Sequence, residues 1–226
     1  MKLAKQHVDF GLFTRNIDAH TRFWGETVGL RLDHKLPLRK GWVQHRYDAH
    51  DSVIKVNHHE AEMPAWPASG YVGLAIARDV ERVWEGKHPD GGVVRIVPTG
   101  TDGIVGIGIT VSTPDPARMM SFYLEAMEFE AVAPTVARCG DTLFFVEQGP
   151  GGQWQEDFVA PGNRYLTVQI FDADAECAGI VARGGRMAQA VRNYGEVARV
   201  GFVADPDGNY IEISARASLT GVVPKD

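Results

Sequence analysis

Residues 201–214 read GFVADPDGNYIEIS, and this stretch decides the architecture. Asp207-Gly208-Asn209 supplies the small, φ-permissive residues of a tight turn. In the strand that follows, side chains alternate, so Tyr210 and Glu212 face one way while Ile211 and Ile213 face the other. The aliphatic face packs against helices and the polar face lines a concavity. Upstream, KHPDGGVVRIVP (87–98) has the same turn and strand. The segments before these endings also correspond: GYVGLAIARDVERVWEG (70–86) and RYLTVQIFDADAECAGIVARGG (164–185) both read as strand, acidic turn and helix.

A second pair of units lies before each of these. Residues 7–59 run from an alternating strand (HVDFGLF) through a polar turn and a helix carrying Phe23, Trp24 and Val28 to three strand-like runs, LRLDHKL, WVQHRYDA and SVIKVNHH. Residues 104–147 repeat that order: the strand IVGIGITV, the turn STPDP with its N-cap and first-turn proline, the helix RMMSFYLEAM, then FEAVAPTVA and DTLFFVE. Phe23-Trp24 and Phe122-Tyr123 occupy matching helix positions. Tyr71 to Tyr165 spans 94 positions and His88 to Asp205 spans 117, so the second unit is about one β-hairpin shorter than the fourth. The fold class expected is α+β: four βαβββ units, the second abbreviated, paired into two cup-shaped mixed sheets. Gly- and Pro-rich linkers (EMPAWPASG, PTGTDG and GPGGQWQEDFVAPGN) separate the units.

Composition narrows the partners. The 226 residues carry a formal charge of −6 with no Lys/Arg-rich run, which argues against nucleic acid. No apolar run approaches the roughly 20 residues that span a bilayer, so no membrane partner is expected and the chain reads as cytoplasmic. Cys139 and Cys177 sit in apolar surroundings that suit reduced, buried thiols. All 8 histidines lie between His7 and His88, so an imidazole site must draw on the N-terminal part. His20, His34 and His50 read as exposed, and His88 as a turn residue matching Asp205.

The strand-start His7, the helices ending Phe-Trp or Phe-Tyr before Gly-Leu or Glu-Phe, and above all the DPDGN-x-IE ending resemble the vicinal oxygen chelate superfamily, which includes glyoxalase I, extradiol dioxygenases and bleomycin resistance proteins. The resemblance extends over essentially the whole chain and implies the glyoxalase/bleomycin resistance/dihydroxybiphenyl dioxygenase fold. In chain order it implies a first domain over 1–100 (units one and two) and a second over 101–226 (units three and four). The alternative pairs unit one with four and two with three.

In metal-binding members, the resemblance implies ligands at the start of the first strand and the end of the last strand of each paired unit. Unit one then offers His7 and Lys55, unit two Tyr71 and Arg95, unit three Gly106 and Phe145, and unit four Tyr165 and Glu212. Only His7 and Glu212 have ligand chemistry, since a protonated amine or guanidinium has no lone pair to give. A third ligand has to come from a neighbour: His59, which shares the face of Lys55 by period two, or His45 on the preceding strand, with Asn57 and Asp9 also near. The C-terminal units contain no histidine, which excludes a two-His-one-carboxylate iron site between units three and four.

Two functions follow from the resemblance. The first is a metalloenzyme, a lyase, isomerase or dioxygenase, acting on a small oxygenated and possibly aromatic molecule. A divalent metal (Fe²⁺, Mn²⁺, Ni²⁺ or Zn²⁺) held by His7, Glu212 and His59 or His45 chelates vicinal oxygens as a Lewis acid, with Tyr165 and Lys55 assisting catalysis. The second is a metal-free drug- or metabolite-binding resistance protein, with Trp42, Tyr47, Phe145, Trp154 and Tyr165 as stacking surface and an acidic balance suited to a cation. Either acts as monomer or homodimer on a small molecule.

Overall fold

The structure is a computed structural model and describes residues 1–223. Fifteen strands form two mixed sheets among the described residues, in the orders β13-β14-β15-β12-β1-β4-β3-β2 and β6-β7-β5-β8-β11-β10-β9. The first sheet takes β1 (Asp9–Thr14), β2 (Arg31–Arg39), β3 (Trp42–Ala49) and β4 (Ser52–His59) from unit one. From unit four it takes β12 (Gly162–Gln169), β13 (Arg186–Tyr194), β14 (Ala198–Ala204) and β15 (Tyr210–Arg216). The second sheet takes β5 (Tyr71–Arg78), β6 (Trp84–Lys87) and β7 (Val93–Pro98) from unit two, and β8 (Ile107–Thr113), β9 (Glu130–Ala133), β10 (Val136–Cys139) and β11 (Thr142–Gln148) from unit three. Each sheet therefore joins an outer to an outer or an inner to an inner unit, and a division at residue 100 cuts through both.

The seam of the first sheet is the antiparallel pairing of β1 with β12, in which Asp9 faces Thr167 and Gly11 faces Tyr165. On either side, β1 runs parallel to β4 and β12 parallel to β15. The convex faces of both sheets share one apolar core with the helices, in which Phe10, Leu12, Trp24, Ile76, Ile109, Tyr123 and Ile213 are fully or almost fully buried. Cys139 and Cys177 are buried free thiols within it. No helix among the described residues is long and apolar enough to cross a membrane.

The repeat is visible down to single hydrogen bonds. Helix α1 (Ile17–Arg22) ends in a widened turn in which the Val28 amide donates to the Phe23 carbonyl and the Leu30 amide to the Trp24 carbonyl. Helix α2 (Pro116–Ser121) ends identically, Met127 donating to Phe122 and Phe129 to Tyr123. The aromatic pairs seen in the sequence thus anchor the same turn twice. His88 and Asp205 also match: their amides close the same turn, that of His88 donating to the Gly92 carbonyl and that of Asp205 to the Asn209 carbonyl.

Unit two departs from the expected pattern. Residues 79–86 form no helix, because only five residues separate the end of β5 from β6, and Trp84 is already paired with Ile96. The abbreviation removes the helix as well as a strand. His20 is also not exposed: it is fully buried, receiving the Trp24 indole N–H at 3.1 Å and donating to Asp90 at 2.8 Å.

His88 is nearly as buried, donating from Nε2 to Asn163 at 2.9 Å and accepting the Asp90 amide at Nδ1. Burial holds its pKa down from 6.5 to about 4. The unfolded chain therefore takes up a proton between pH 6.5 and about 4 that the folded chain refuses, and stability falls as pH drops through that window. The loss expected is up to about 3 kcal/mol. Urea unfolding between pH 7 and 4.5 should show this slope, and the His88→Gln variant a flatter one; equal slopes would contradict it.

Candidate functional site

Three strand registers bring four side chains to one point on the concave face of the eight-stranded sheet. The β1–β12 pairing sets Asp9 beside Thr167, the β12–β15 pairing sets Thr167 beside Glu212, and the β1–β4 pairing brings Lys55 opposite Gly11. The Lys55 ammonium sits at their centre, 2.6 Å from Thr167 Oγ1, 3.0 Å from Glu212 Oε2 and 3.6 Å from Asp9 Oδ2. The Thr167 hydroxyl donates in turn to Glu212. Burial alone would raise the pKa of Asp9, but Lys55, Lys5 and Arg46 outweigh it and hold the carboxyl below its ordinary range.

Tyr165 lies across the seam. A Cβ on Gly11 would come within 2.2 Å of its ring, so only glycine at position 11 leaves room for it. The phenol oxygen accepts N–H bonds from Asn57 at 3.1 Å and Gln44 at 3.3 Å. Burial, and then the Glu212 charge, push its pKa up, so it stays a neutral phenol whose own proton is free to be donated. Above this floor is a cavity of about 110 Å³. Its aromatic wall is built by Trp42, Phe158, Tyr165 and Phe202, with Phe158 and Phe202 centroids 4.6 Å apart. Leu38, Tyr194 and Val197 form an exposed apolar rim.

Of the residues singled out in the sequence, Lys55, Tyr165 and Glu212 meet here. His7 does not. It precedes β1 and turns toward the other sheet, donating from Nδ1 to Asp141 at 2.7 Å. Its place is taken by Asp9, two residues on. His45 lies on the opposite face of β3 from Gln44 and Arg46, and burial, with the nearby charges of Lys35 and His58, lowers its pKa to about 4. His59 is beside Trp42 at the far end of β4, about 13 Å along the strand from Lys55. Neither imidazole reaches Glu212.

The donor set at this point does not suit a divalent cation. Two carboxylates and a hydroxyl converge, as cation ligands do, but the space between them is filled by the ammonium of Lys55, which supplies the positive charge itself. Elsewhere, His20, His88 and Asp90 carry ligand atoms within 4.8 Å of one another, close enough to share a cation. There, each ring nitrogen is already engaged with Trp24, Asp90 or Asn163.

The concave face of the seven-stranded sheet is filled by its own side chains. Ala75, Ala77, Val97, Ile104 and Leu143 pack there with Phe145, and a Cβ on Gly108 would strike Ile104 and Phe145 at 2.9 Å. Of the aromatics expected to stack on a ligand, Phe145 is thus in this filled cup. Tyr47 is in the shared core, Trp154 stacks on Tyr210, and only Trp42 and Tyr165 line the cavity. Phe158 was hidden in a segment read as linker; the only hint was its apolar Phe-Val pair amid glycine and acidic residues.

Removing the Lys55 ammonium would leave two inward carboxylates without their shared partner. Lys55→Met is expected to cost about 3 to 5 kcal/mol in urea unfolding. Lys55→Met combined with Glu212→Gln should recover part of that loss. If the single variant is as stable as the parent, the ammonium is not what holds these groups together.

Residues 106–213 match the family model of the Glyoxalase/Bleomycin resistance protein/Dioxygenase superfamily. Among solved structures, glyoxalase I from Zea mays superposes with a TM-score of 0.68 at 13% identity, over 92% of each chain. A dioxygenase candidate from Bacillus subtilis superposes with a TM-score of 0.65 at 15% identity, over 95% of this chain and 86% of the other. The matched region covers units three and four, which belong to different sheets. Residues 106–213 are thus similar to the Glyoxalase/Bleomycin resistance protein/Dioxygenase superfamily, and the chain as a whole has the glyoxalase fold.

Proposed function

We propose that the eight-stranded cup is a metal-independent site for a small, oxygenated, aromatic molecule. The reading rests on one observation: the Lys55 ammonium lies between Thr167, Glu212 and Asp9, where a Lewis-acid cation would otherwise have to be. Of the two functions the sequence raised, this favours the metal-free binding protein over the metalloenzyme. The ring of the ligand lies against Trp42, Phe158 and Phe202, and an oxygen accepts the uncommitted proton of Tyr165. A cavity of about 110 Å³ is on the scale of a single ring, since an engineered cavity of roughly 150 Å³ binds benzene.

A second reading is supported by the exposure of Glu212. Its side chain keeps 17% of its surface accessible, against 1% for Asp9. Glu212 is then the base that takes a proton from the bound molecule, with Tyr165 and Lys55 stabilising the resulting oxyanion, which is isomerase or lyase chemistry without a metal.

The test is metal analysis of protein purified without a metal-affinity tag and reconstituted anaerobically with Fe²⁺ and Mn²⁺, alongside calorimetric binding of phenols and other oxygenated monocycles. No stoichiometric metal, and ring binding lost in Phe158→Ala, is the expected result. Stoichiometric metal that disappears in Glu212→Ala would overturn the reading. Turnover of any bound compound that Glu212→Gln abolishes without loss of binding would select the second form.

A further inference from the structure

Building on that reading of the cup, we infer that its ligand is an aromatic carboxylate, the acid group held by Arg46 and Arg216 and the ring by the aromatic wall. Both arginines line the same cavity as Trp42, Phe158 and Phe202. Arg46 is 7% exposed, and its Nε is buried with no hydrogen-bond partner. Its one side-chain bond, from Nη1 to Gln44 Oε1 at 2.5 Å, is to a neutral amide. Among the described residues, neither Arg46 nor Arg216 has a carboxylate within ion-pair distance.

A buried guanidinium without a counter-ion is costly, and proteins retain one where an anion completes it. The acids near enough to do so are already engaged: Glu212 with Lys55 and Thr167, Asp9 with Lys55 and with Lys5 at 2.7 Å. Four cationic side chains (Lys5, Lys55, Arg46, Arg216) thus face two carboxylates. The two guanidiniums also sense each other: after burial, the charge of Arg46 is the largest influence depressing the pKa of Arg216. A bound anion relieves that repulsion. The planar fork of a guanidinium matches a carboxylate, which makes two parallel charge-assisted bonds to it.

The cup is therefore electropositive inside a chain of net charge −6. This reverses the expectation of a cationic ligand, which was drawn from overall charge; a site is selected by the charges that face it. The buried, unpartnered Oε1 of Gln169, on the same wall, offers a ligand hydroxyl an acceptor.

Isothermal titration calorimetry on the full chain with benzoate and phenylacetate, against benzamide and phenylacetamide, separates this inference from the reading beneath it. The acids are expected to bind at least about tenfold more tightly than the amides of the same shape. Arg46→Met and Arg216→Met should each bring that preference toward unity by weakening the acids more than the amides; Arg46→Lys, which keeps the charge but not the fork, should fall between. Thermal melts establish that each variant is folded, and Arg216→Met, at a half-buried position, serves should Arg46→Met not fold. Equal binding of acid and amide by the parent protein would overturn the anion site and leave the aromatic cup standing. Binding of neither would overturn both.

Discussion

The structure depends on one pairing: β1, near the start of the chain, runs antiparallel to β12, from its last third. Unit one alone has a sheet edge with nothing to complete it, and so does unit four. Joining them at this seam closes an eight-stranded cup and sets Asp9 against Thr167 and Gly11 against Tyr165. The absence of a side chain at Gly11 is what permits the join to carry a tyrosine across it. From that seam the parallel neighbours β4 and β15 follow, and with them Lys55 and Glu212.

The consequence for chemistry is that the point where strands from two units converge is occupied by an internal cation. Lys55 is held by a hydroxyl and two carboxylates, and its charge cannot be removed or exchanged as a metal ion can. In the reading proposed above, the cup works by hydrogen bonding, electrostatics and proton movement. The sister cup, formed by units two and three, has gone the other way and is packed shut with alanine, valine, leucine and isoleucine. One repeated architecture thus has two outcomes in a single chain, an open polar cup and a filled structural one.

The four-unit fold was legible because its turns are written in residues whose backbone requirements are local, above all Asp205-Pro206-Asp207-Gly208-Asn209. In the structure, the Asp205 carboxylate accepts the amides of Asp207 and Asn209 and the side chain of Asn209, which is why that sequence closes the turn. The resemblance, carried over position by position, also pointed to Lys55, Tyr165 and Glu212, which the strand registers bring to one face. What failed was register and reach. Histidine at position 7 looked like a ligand, yet the strand begins at Asp9, so the inward position is two residues later. The helix expected in unit two was lost because five residues cannot make one between paired strands. Phe158, which closes the aromatic wall, comes from an irregular segment that no periodicity marks, and the local charge of the cup was masked by the acidity of the whole chain.

The most direct measurement is anomalous diffraction from crystals of this chain soaked in Mn²⁺. The account predicts no anomalous peak among Asp9, Lys55, Thr167 and Glu212, with density for the lysine ammonium between Thr167 and Glu212. A Mn²⁺ peak bound by Glu212, with the Lys55 side chain displaced from it, would contradict the central claim.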